Sequence, residues 1–162
     1  MMSRFVMGID AGTTGVRAVV FDETGKMVGT AYREIASHYP QPQWMEQDPW
    51  QVWSATREVI GESIASAPAR PSDIAAVGIT NQRSSIVAWD AKSGKPLSSM
   101  IIWQDTRTAD RCLELQAQGL YITPMMAASK AEWIVKNVAE AREARARGTL
   151  RLGTPNAFLA GC

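Results

Sequence analysis

Between the apolar runs RFVMGID and VRAVVFD the chain has only AGTTG, residues 11–15. Runs that close, joined by a glycine-bracketed link, read as antiparallel strands around a tight turn. A third run, MVGTAYRE, follows ETGK, so residues from Phe5 to about Arg33 are expected to form a three-stranded meander.

The first turn also carries chemistry. Leaving a strand at Asp10 and re-entering one at Val16, the chain exposes several amides in a small concavity that suits a phosphate oxygen. Gly12 and Gly15 let backbone approach closely, Thr13 and Thr14 add hydroxyls, and Asp10 beside a polyphosphate could hold hydrated magnesium, which keeps most of its waters. The same spacing fits a plain hairpin with Asp10 as its capping residue, and spacing alone does not choose. Other phosphate motifs are absent: there is no G-x-x-x-x-G-K-[ST], and glycines 8, 12 and 15 miss the G-x-G-x-x-G spacing.

Charge narrows the partner. With 17 Lys and Arg against 16 Asp and Glu, the net charge of +1 gives no electrostatic basis for binding nucleic acid or an anionic membrane. A small-molecule or protein partner is the better expectation. Cys112 and Cys162 lack metal-ligand spacing, and the lone His38 cannot complete a zinc site. The first ten residues hold too short an apolar run for a signal peptide, and no stretch approaches a membrane span of about 20 residues. The chain is expected to be cytoplasmic.

Beyond the meander, YPQPQWMEQDP reads as irregular surface chain. A helix is expected from Pro49, with Asp48 as cap and Val52, Trp53, Thr56, Val59, Ile60, Ser63 and Ile64 on its buried face, stopped by APARPSD. IAAVGIT reads as a buried strand; SSIVAWD and SSMIIW follow as further strands around the turn AKSGKP, so that the sheet resumes. DTRTADRCLELQAQ and SKAEWIVKNV read as helices, the second with a capping box from Ser129 to Glu132. AEAREARARG continues as a charged, solvated helix ending at Gly148, a left-handed C-cap.

With those segments in view, GIDAGTTGVRAVVFDETGKMVG resembles the first phosphate motif of the superfamily of sugar kinases, heat-shock chaperones and actin. YPQPQWMEQDPWQVW, IAAVGITNQRSSIVAWD, GKPLSSMIIWQDTRTA and RARGTLRLGTPNAFL, in that order, are similar to the amino-terminal half of an FGGY-family carbohydrate kinase of glycerol kinase type. The resemblance implies an α/β fold, the ribonuclease H-like domain of the actin-like ATPase superfamily, a mixed sheet with flanking helices. It also implies ATP and Mg2+ as cofactors and a small polyol or sugar as substrate. Asp10 would face magnesium and the transferred phosphate, Gly12, Thr13 and Thr14 would line the phosphate turn, and Arg17 would neutralise charge there. On the substrate side, Asn81, Gln82 and Arg83 follow a strand end; the resemblance gives Arg83 a substrate hydroxyl, Trp103 the carbon face of the polyol, and Gln104 and Asp105 places near the same cleft. Without the family, Trp103 reads as a core aromatic and Asn81 as a turn cap.

Departures temper the substrate. Ser84 stands where glycerol kinases have a glutamate, Pro124, Met125, Met126 and Ala127 replace Pro-Tyr-Phe-Ser, and LQAQGLYITP is short, so a polyol or sugar other than glycerol fits as well. The family's general-base aspartate and adenine pocket lie beyond the position matching Cys162. Residues 1–162 are therefore expected to be an incomplete amino-terminal domain, with the carboxy-terminal ATP domain absent and no turnover by this chain alone. Apolar surface is expected around Phe158 and Leu159, and with it a homo-oligomer. Two other classes stand beside the kinase: a non-catalytic sugar- or nucleotide-binding module, and a chaperone- or actin-like protein, against which ITNQR and IIWQDTR speak.

Overall fold

The structure, a computed structural model, describes residues 5–161; readings that fell on residues 1–4 and Cys162 lie outside them. In chain order the elements are β1 (Phe5–Ala11), β2 (Gly15–Phe21), β3 (Met27–Glu34), β4 (Glu46–Gln47), α1 (Pro49–Ala65), β5 (Ile74–Asn81), β6 (Val87–Asp90), β7 (Met100–Ile101), α2 (Ala109–Gln116), α3 (Ala127–Asn137), α4 (Ala139–Ala146), β8 (Leu150–Gly153) and α5 (Pro155–Gly161). They divide into two compact units, residues 1–36 with 50–81, and residues 37–49 with 82–162.

The first unit is a four-stranded sheet, ordered β3-β2-β1-β5, with α1. The expected meander is there: β1, β2 and β3 are antiparallel neighbours, while β5 returns through α1 to lie parallel to β1. Period-two alternation sorts β1, with Phe5, Met7, Ile9 and Ala11 buried and Val6 and Asp10 exposed. Val16, Ala18 and Val20 continue the buried face on β2, and α1 brings Val52, Ala55 and Val59 to this unit's core. The helix begins at Pro49, as the sequence indicates. Its far end is pinned to β3, where Ser66 Oγ accepts from Thr30 N at 3.2 Å.

β5 departs from expectation. IAAVGIT is a strand, but it is open, with Val77 54% and Ile79 36% exposed. An apolar run without polar alternation reads as buried on both faces. Here β5 is an edge strand and the unit's helix packs over β3, so neither face of β5 is covered within its unit.

The second unit is built on two short ladders, β4 with β7 and β6 with β8. SSIVAWD and SSMIIW therefore do not resume the first sheet; β6 and β7 each pair with a strand distant in sequence. Ile86, Ala88, Ile101, Ile134 and Ala141 form the core between these strands and α3 and α4. Phe158 and Leu159, expected on the surface, are 1% and 5% exposed, because α5 turns Phe158 edge-on to Trp89, their ring centres 5.7 Å apart. Phe158 and Leu159 thus offer no apolar surface for self-association; among the described residues the exposed apolar side chains include Val77 and Ile79 on β5 but also Leu113, Leu120 and Tyr121.

Three helix boundaries also differ. α2 begins at Ala109, four residues after Asp105, because Asp105 and Thr106 form a turn first. α3 begins at Ala127, so Ser129 is inside it; its hydroxyl lies 3.0 Å from that of Thr108 and bonds the Met126 carbonyl, and the expected capping box does not form. α4 does not continue α3, since Val138 at φ −94°, ψ 117° breaks the helix. Gly148, at φ +72°, does sit at the left-handed position after α4. Among the described residues no helix is long and apolar enough to cross a membrane.

The β6–β8 ladder contains an acid-sensitive clasp. Asp90 accepts from Thr149 Oγ1 at 2.5 Å and from the amides of Lys92 and Ser93 at 2.9 and 3.0 Å, and these bonds, the Thr149 hydroxyl foremost, hold its carboxyl at about 2 rather than 3.8. A carboxylate depressed in the folded state adds stability that is fully present above its unfolded pKa and is lost as pH falls through the folded one. Thermal melts are expected to fall between pH 4 and about 2, and Thr149→Val to flatten that fall. Identical acid profiles for the two proteins would remove Thr149 from the clasp.

Candidate functional site

The β1–β2 turn is shaped by its glycines. Gly12 N donates to Gly15 O at 2.9 Å, and a Cβ on Gly15 would lie 2.4 Å from Arg33 O and 2.5 Å from Tyr32 Cζ, so only glycine lets β3 come this close. The carbonyl of Thr14 faces β3, accepting from Ile35 N at 3.1 Å and from Tyr32 Oη at 3.2 Å. Its amide and hydroxyl have no partner among the described residues, and Thr14 is exposed. Asp10 is exposed too, and its carboxylate makes no hydrogen bond or ion pair among the described residues. Arg17 is its cross-strand neighbour, and the Arg17 guanidinium lies 5.3 Å from the centre of the Tyr32 ring. Asp10 and Arg17 open onto a hollow of about 460 Å³ whose floor is largely apolar, including Val19 and Phe21.

The structure thus brings Asp10, Gly12, Thr13, Thr14 and Arg17 together around one turn, with a free carboxylate on the rim. No group of three or more His, Cys, Asp or Glu placed to hold a metal occurs among the described residues. A single carboxylate fits an ion that keeps its waters and takes its other ligands from phosphate, as magnesium does, and does not fit a protein-caged metal.

Asn81 ends β5, beside Ala11. Its Oδ1 is buried with no hydrogen-bond partner, an acceptor waiting for a donor.

The second unit holds the other candidates. Gln82 is buried, and both ends of its amide are engaged: Nε2 donates to Gln47 Oε1 at 2.8 Å, and Oε1 accepts from Ser85 Oγ at 2.9 Å. Ser85 Oγ in turn accepts from Trp103 N at 3.0 Å, which fixes the turn after β5 to the segment bearing Trp103. Between these anchors Ser84 takes the left-handed conformation, φ +65°, and Arg83 is the exposed tip. Trp103 is half-buried. Gln104 is exposed at the rim of a hollow of about 490 Å³ that also takes in Tyr39, Gln43 and Trp44.

Asp105 points the other way. It is fully buried, accepting from Met45 N at 2.6 Å and from Arg107 Nε at 2.9 Å. Arg107, its side chain 1% exposed, also donates to Glu46 at 2.7 Å and lies 3.8 Å from the ring centre of Trp44 and 4.6 Å from that of Trp133. Asp105 therefore sits in a closed ionic network. Gln82 and Asp105 shape their unit; Arg83, Trp103 and Gln104 are the members that reach its surface.

Sequence reading passed over two residues here, Arg107 and Lys130. Lys130 is fully buried, its Nζ donating to Met125 O at 2.7 Å and to Ser84 O at 3.4 Å. Burial pushes its pKa down to about 8, against the opposing pull of Asp105 and Cys112. A signal was available: Ala127, Ala131 and Ile134 form the apolar stripe of α3, and Lys130 interrupts it.

Residues 5–160 match the sequence model of the FGGY family of carbohydrate kinases, N-terminal domain. The chain is 42% identical over 168 aligned residues to a glycerol kinase of Rhizobium rhizogenes and 43% identical over 168 to one of Ectopseudomonas mendocina, covering 98% of itself and 34% of each. Among solved structures it resembles Plasmodium falciparum glycerol kinase with ADP, at TM-score 0.86 and 26% identity, and xylulose kinase of Rhodospirillum rubrum, at TM-score 0.80 and 26% identity. Each of those alignments covers 97% of this chain and 33% of the other. The expected fold class, an α/β domain of actin-like ATPase type with a mixed sheet, is thereby established, and the chain spans about a third of the length of the relatives it matches.

Proposed function

As the chain belongs to the FGGY family of carbohydrate kinases, we propose that it supplies the phosphate turn and the acceptor-side loop of an enzyme that moves the terminal phosphoryl group of ATP to a hydroxyl of a polyol or sugar. The observation that carries this reading is the free, exposed carboxylate of Asp10 on a turn whose Thr14 amide and hydroxyl are also free. Phosphoryl transfer asks mainly for positioning and for charge neutralisation. Asp10 would hold hydrated Mg2+ against the phosphates, Thr13 and Thr14 would donate to phosphate oxygens, and Arg17 would add positive charge. The Gly12 amide is engaged inside the turn, so Gly12 serves by letting the phosphate approach. Bound magnesium supplies charge neutralisation at the transferred group.

On the acceptor side, Arg83 would orient a hydroxyl, Trp103 would face the carbon chain and Gln104 would donate or accept at a second hydroxyl. Buried Gln82 and Asp105 would hold these in place, and Asn81 Oδ1 would accept from a donor brought by the ligand. A neutral polyhydroxylated substrate suits this set of one cation, one aromatic and amides. Glu46 and Asp105, the carboxylates bonded around Arg107, are both engaged, so neither is free to take the proton of the attacking hydroxyl. Around Arg107 the chain therefore offers no free base, and on this reading residues 1–162 bind the ligands without turnover by themselves. A cytoplasmic location follows from that chemistry as part of the same proposal.

The test titrates the 162-residue chain with ATP, with and without magnesium, following the amide resonances of Gly12, Thr13 and Thr14. Magnesium-dependent shifts are expected, and Asp10→Asn is expected to weaken them at least tenfold, about 1.4 kcal/mol. Shifts indifferent to magnesium or to Asp10→Asn would reject the assignment of the turn. Phosphorylation of glycerol or D-xylulose by this chain in a coupled assay would overturn the binding-only part.

A further inference from the structure

We propose that Lys130 is a positioning residue for the acceptor loop, its buried ammonium holding the left-handed Ser84 turn that presents Arg83. The importance given to Arg83 rests on the function proposed above; the tether itself rests on geometry. Lys130 has no exposed surface, and its Nζ reaches two backbone carbonyls, Met125 O at 2.7 Å, just before α3, and Ser84 O at 3.4 Å, across the unit. Met125 and Ser84 are 41 residues apart, and one side chain ties them together.

The turn needs such a tie. Ser84 is one of two non-glycine residues with positive φ among the described residues, and a left-handed serine persists only where its surroundings hold it there. Gln82 and Ser85 anchor the flanks through the bond of Ser85 Oγ to Gln82 Oε1 and that of Trp103 N to Ser85 Oγ. Neither anchor reaches the peptide between Ser84 and Ser85. Lys130 does, through the carbonyl of that peptide, and an ammonium is the strong donor that a carbonyl pair inside an apolar stripe requires.

Lys130 is also a poor choice on stability grounds alone. Its apolar neighbours on α3, Ala127, Ala131 and Ile134, would pack as well around a methionine, and burial disfavours the charged form so far that the ammonium titrates near 8. The charged and titratable groups facing it are Asp105 and Arg107, from the segment before α2, and Cys112 on α2. A charge kept where it strains the fold points to what it holds.

The experiment uses the 162-residue chain. Since the Ser85 amide shares a peptide with the Ser84 carbonyl, its resonance is expected to titrate with a midpoint about 8, well below the ordinary lysine value of about 10.4. Cys112→Ala in the same background removes the nearby thiol. A Ser85 amide that does not move with a midpoint about 8 overturns the tether. Lys130→Met is expected to raise hydrogen exchange at Arg83, Ser84 and Ser85 at least tenfold while leaving Ala88 and Ile134 unchanged, and Lys130→Gln, which keeps a donor, to recover part of that. A uniform rise through the unit would mark Lys130 as merely structural and overturn the proposal. Where the methionine variant does not fold, the titration of the unsubstituted chain decides. With glycerol as the probe, wild-type binding that falls at least tenfold in Lys130→Met links the tether to the ligand. Failure of glycerol to bind the wild type counts against the functional reading and leaves the Ser85 titration to judge the tether by itself.

Discussion

Alanine at Gly29 is expected to destabilise the chain by about 3 kcal/mol, the upper end for forcing a methyl group into a packed interior. The added Cβ would lie 2.2 Å from Ser63 O, 2.8 Å from Ala67 Cβ and 3.1 Å from Ala67 N. Two of these are backbone atoms, so no rotamer change relieves the clash, and the end of α1 must lift from β3. That lift breaks the bond from Thr30 N to Ser66 Oγ and separates Arg33 from its partners Glu58 and Glu62. Gly61→Ala on the same helix is the control, because a Cβ there meets nothing within 4 Å and the change should stabilise by about 1 kcal/mol through helix propensity. Urea unfolding of both variants reads the contrast. A Gly29→Ala midpoint equal to wild type would show that α1 does not approach β3 this closely, and the cover over the phosphate-turn sheet would have to be redrawn.

The elements legible in the sequence are those whose signals are local. β1 alternates Phe5, Met7, Ile9 and Ala11 inward, AGTTG turns the chain, and Pro49 starts α1; each needs only a few neighbouring residues to be read. β4 and β7 are two residues each and exist only because Glu46 meets Ile101 and Gln47 meets Met100, a pairing no local pattern announces. IAAVGIT reads as buried from its apolar composition, and the structure leaves most of it exposed. Composition reports the surroundings a segment suits, whereas Val77 and Ile79 report what their own unit places over them.

For the site, residue types were legible and directions were not. Asp10, Thr14 and Arg83 could be picked out as polar groups in turns, and they are exposed. Gln82 and Asp105 belong to equally polar segments but turn inward, Gln82 because Gln47 and Ser85 offer an acceptor and a donor, Asp105 because Arg107 and the Met45 amide do. A loop has no period from which inward and outward follow. The capping-box reading of Ser129 failed for a related reason: the Ser129 hydroxyl found Thr108, 21 residues earlier, instead of a free amide at a helix start.

Removing Arg107 is expected to cost about 3–5 kcal/mol, the toll of leaving a buried charge without its partner. In Arg107→Met the guanidinium between Trp44 and Trp133 goes, and the Asp105 carboxylate, with no exposed surface, keeps only bonds from the backbone amides of residues 45 and 107 and loses its charged partner. Arg107→Lys keeps a charge but lacks the planar fork that serves Asp105 and Glu46 together while lying on two indoles, so it should recover less than half of the loss. The decisive measurement is the cycle with Asp105→Asn. If the pair is coupled, the double variant is more stable than the sum of the single losses predicts by at least about 1 kcal/mol, since the uncompensated carboxylate is gone. Strict additivity in urea unfolding would mean that the two side chains do not share a network. Coupling, together with glycerol binding that survives in the double variant, would place Asp105 beneath the ligand as a support and leave Arg83, Trp103 and Gln104 as the residues that meet it.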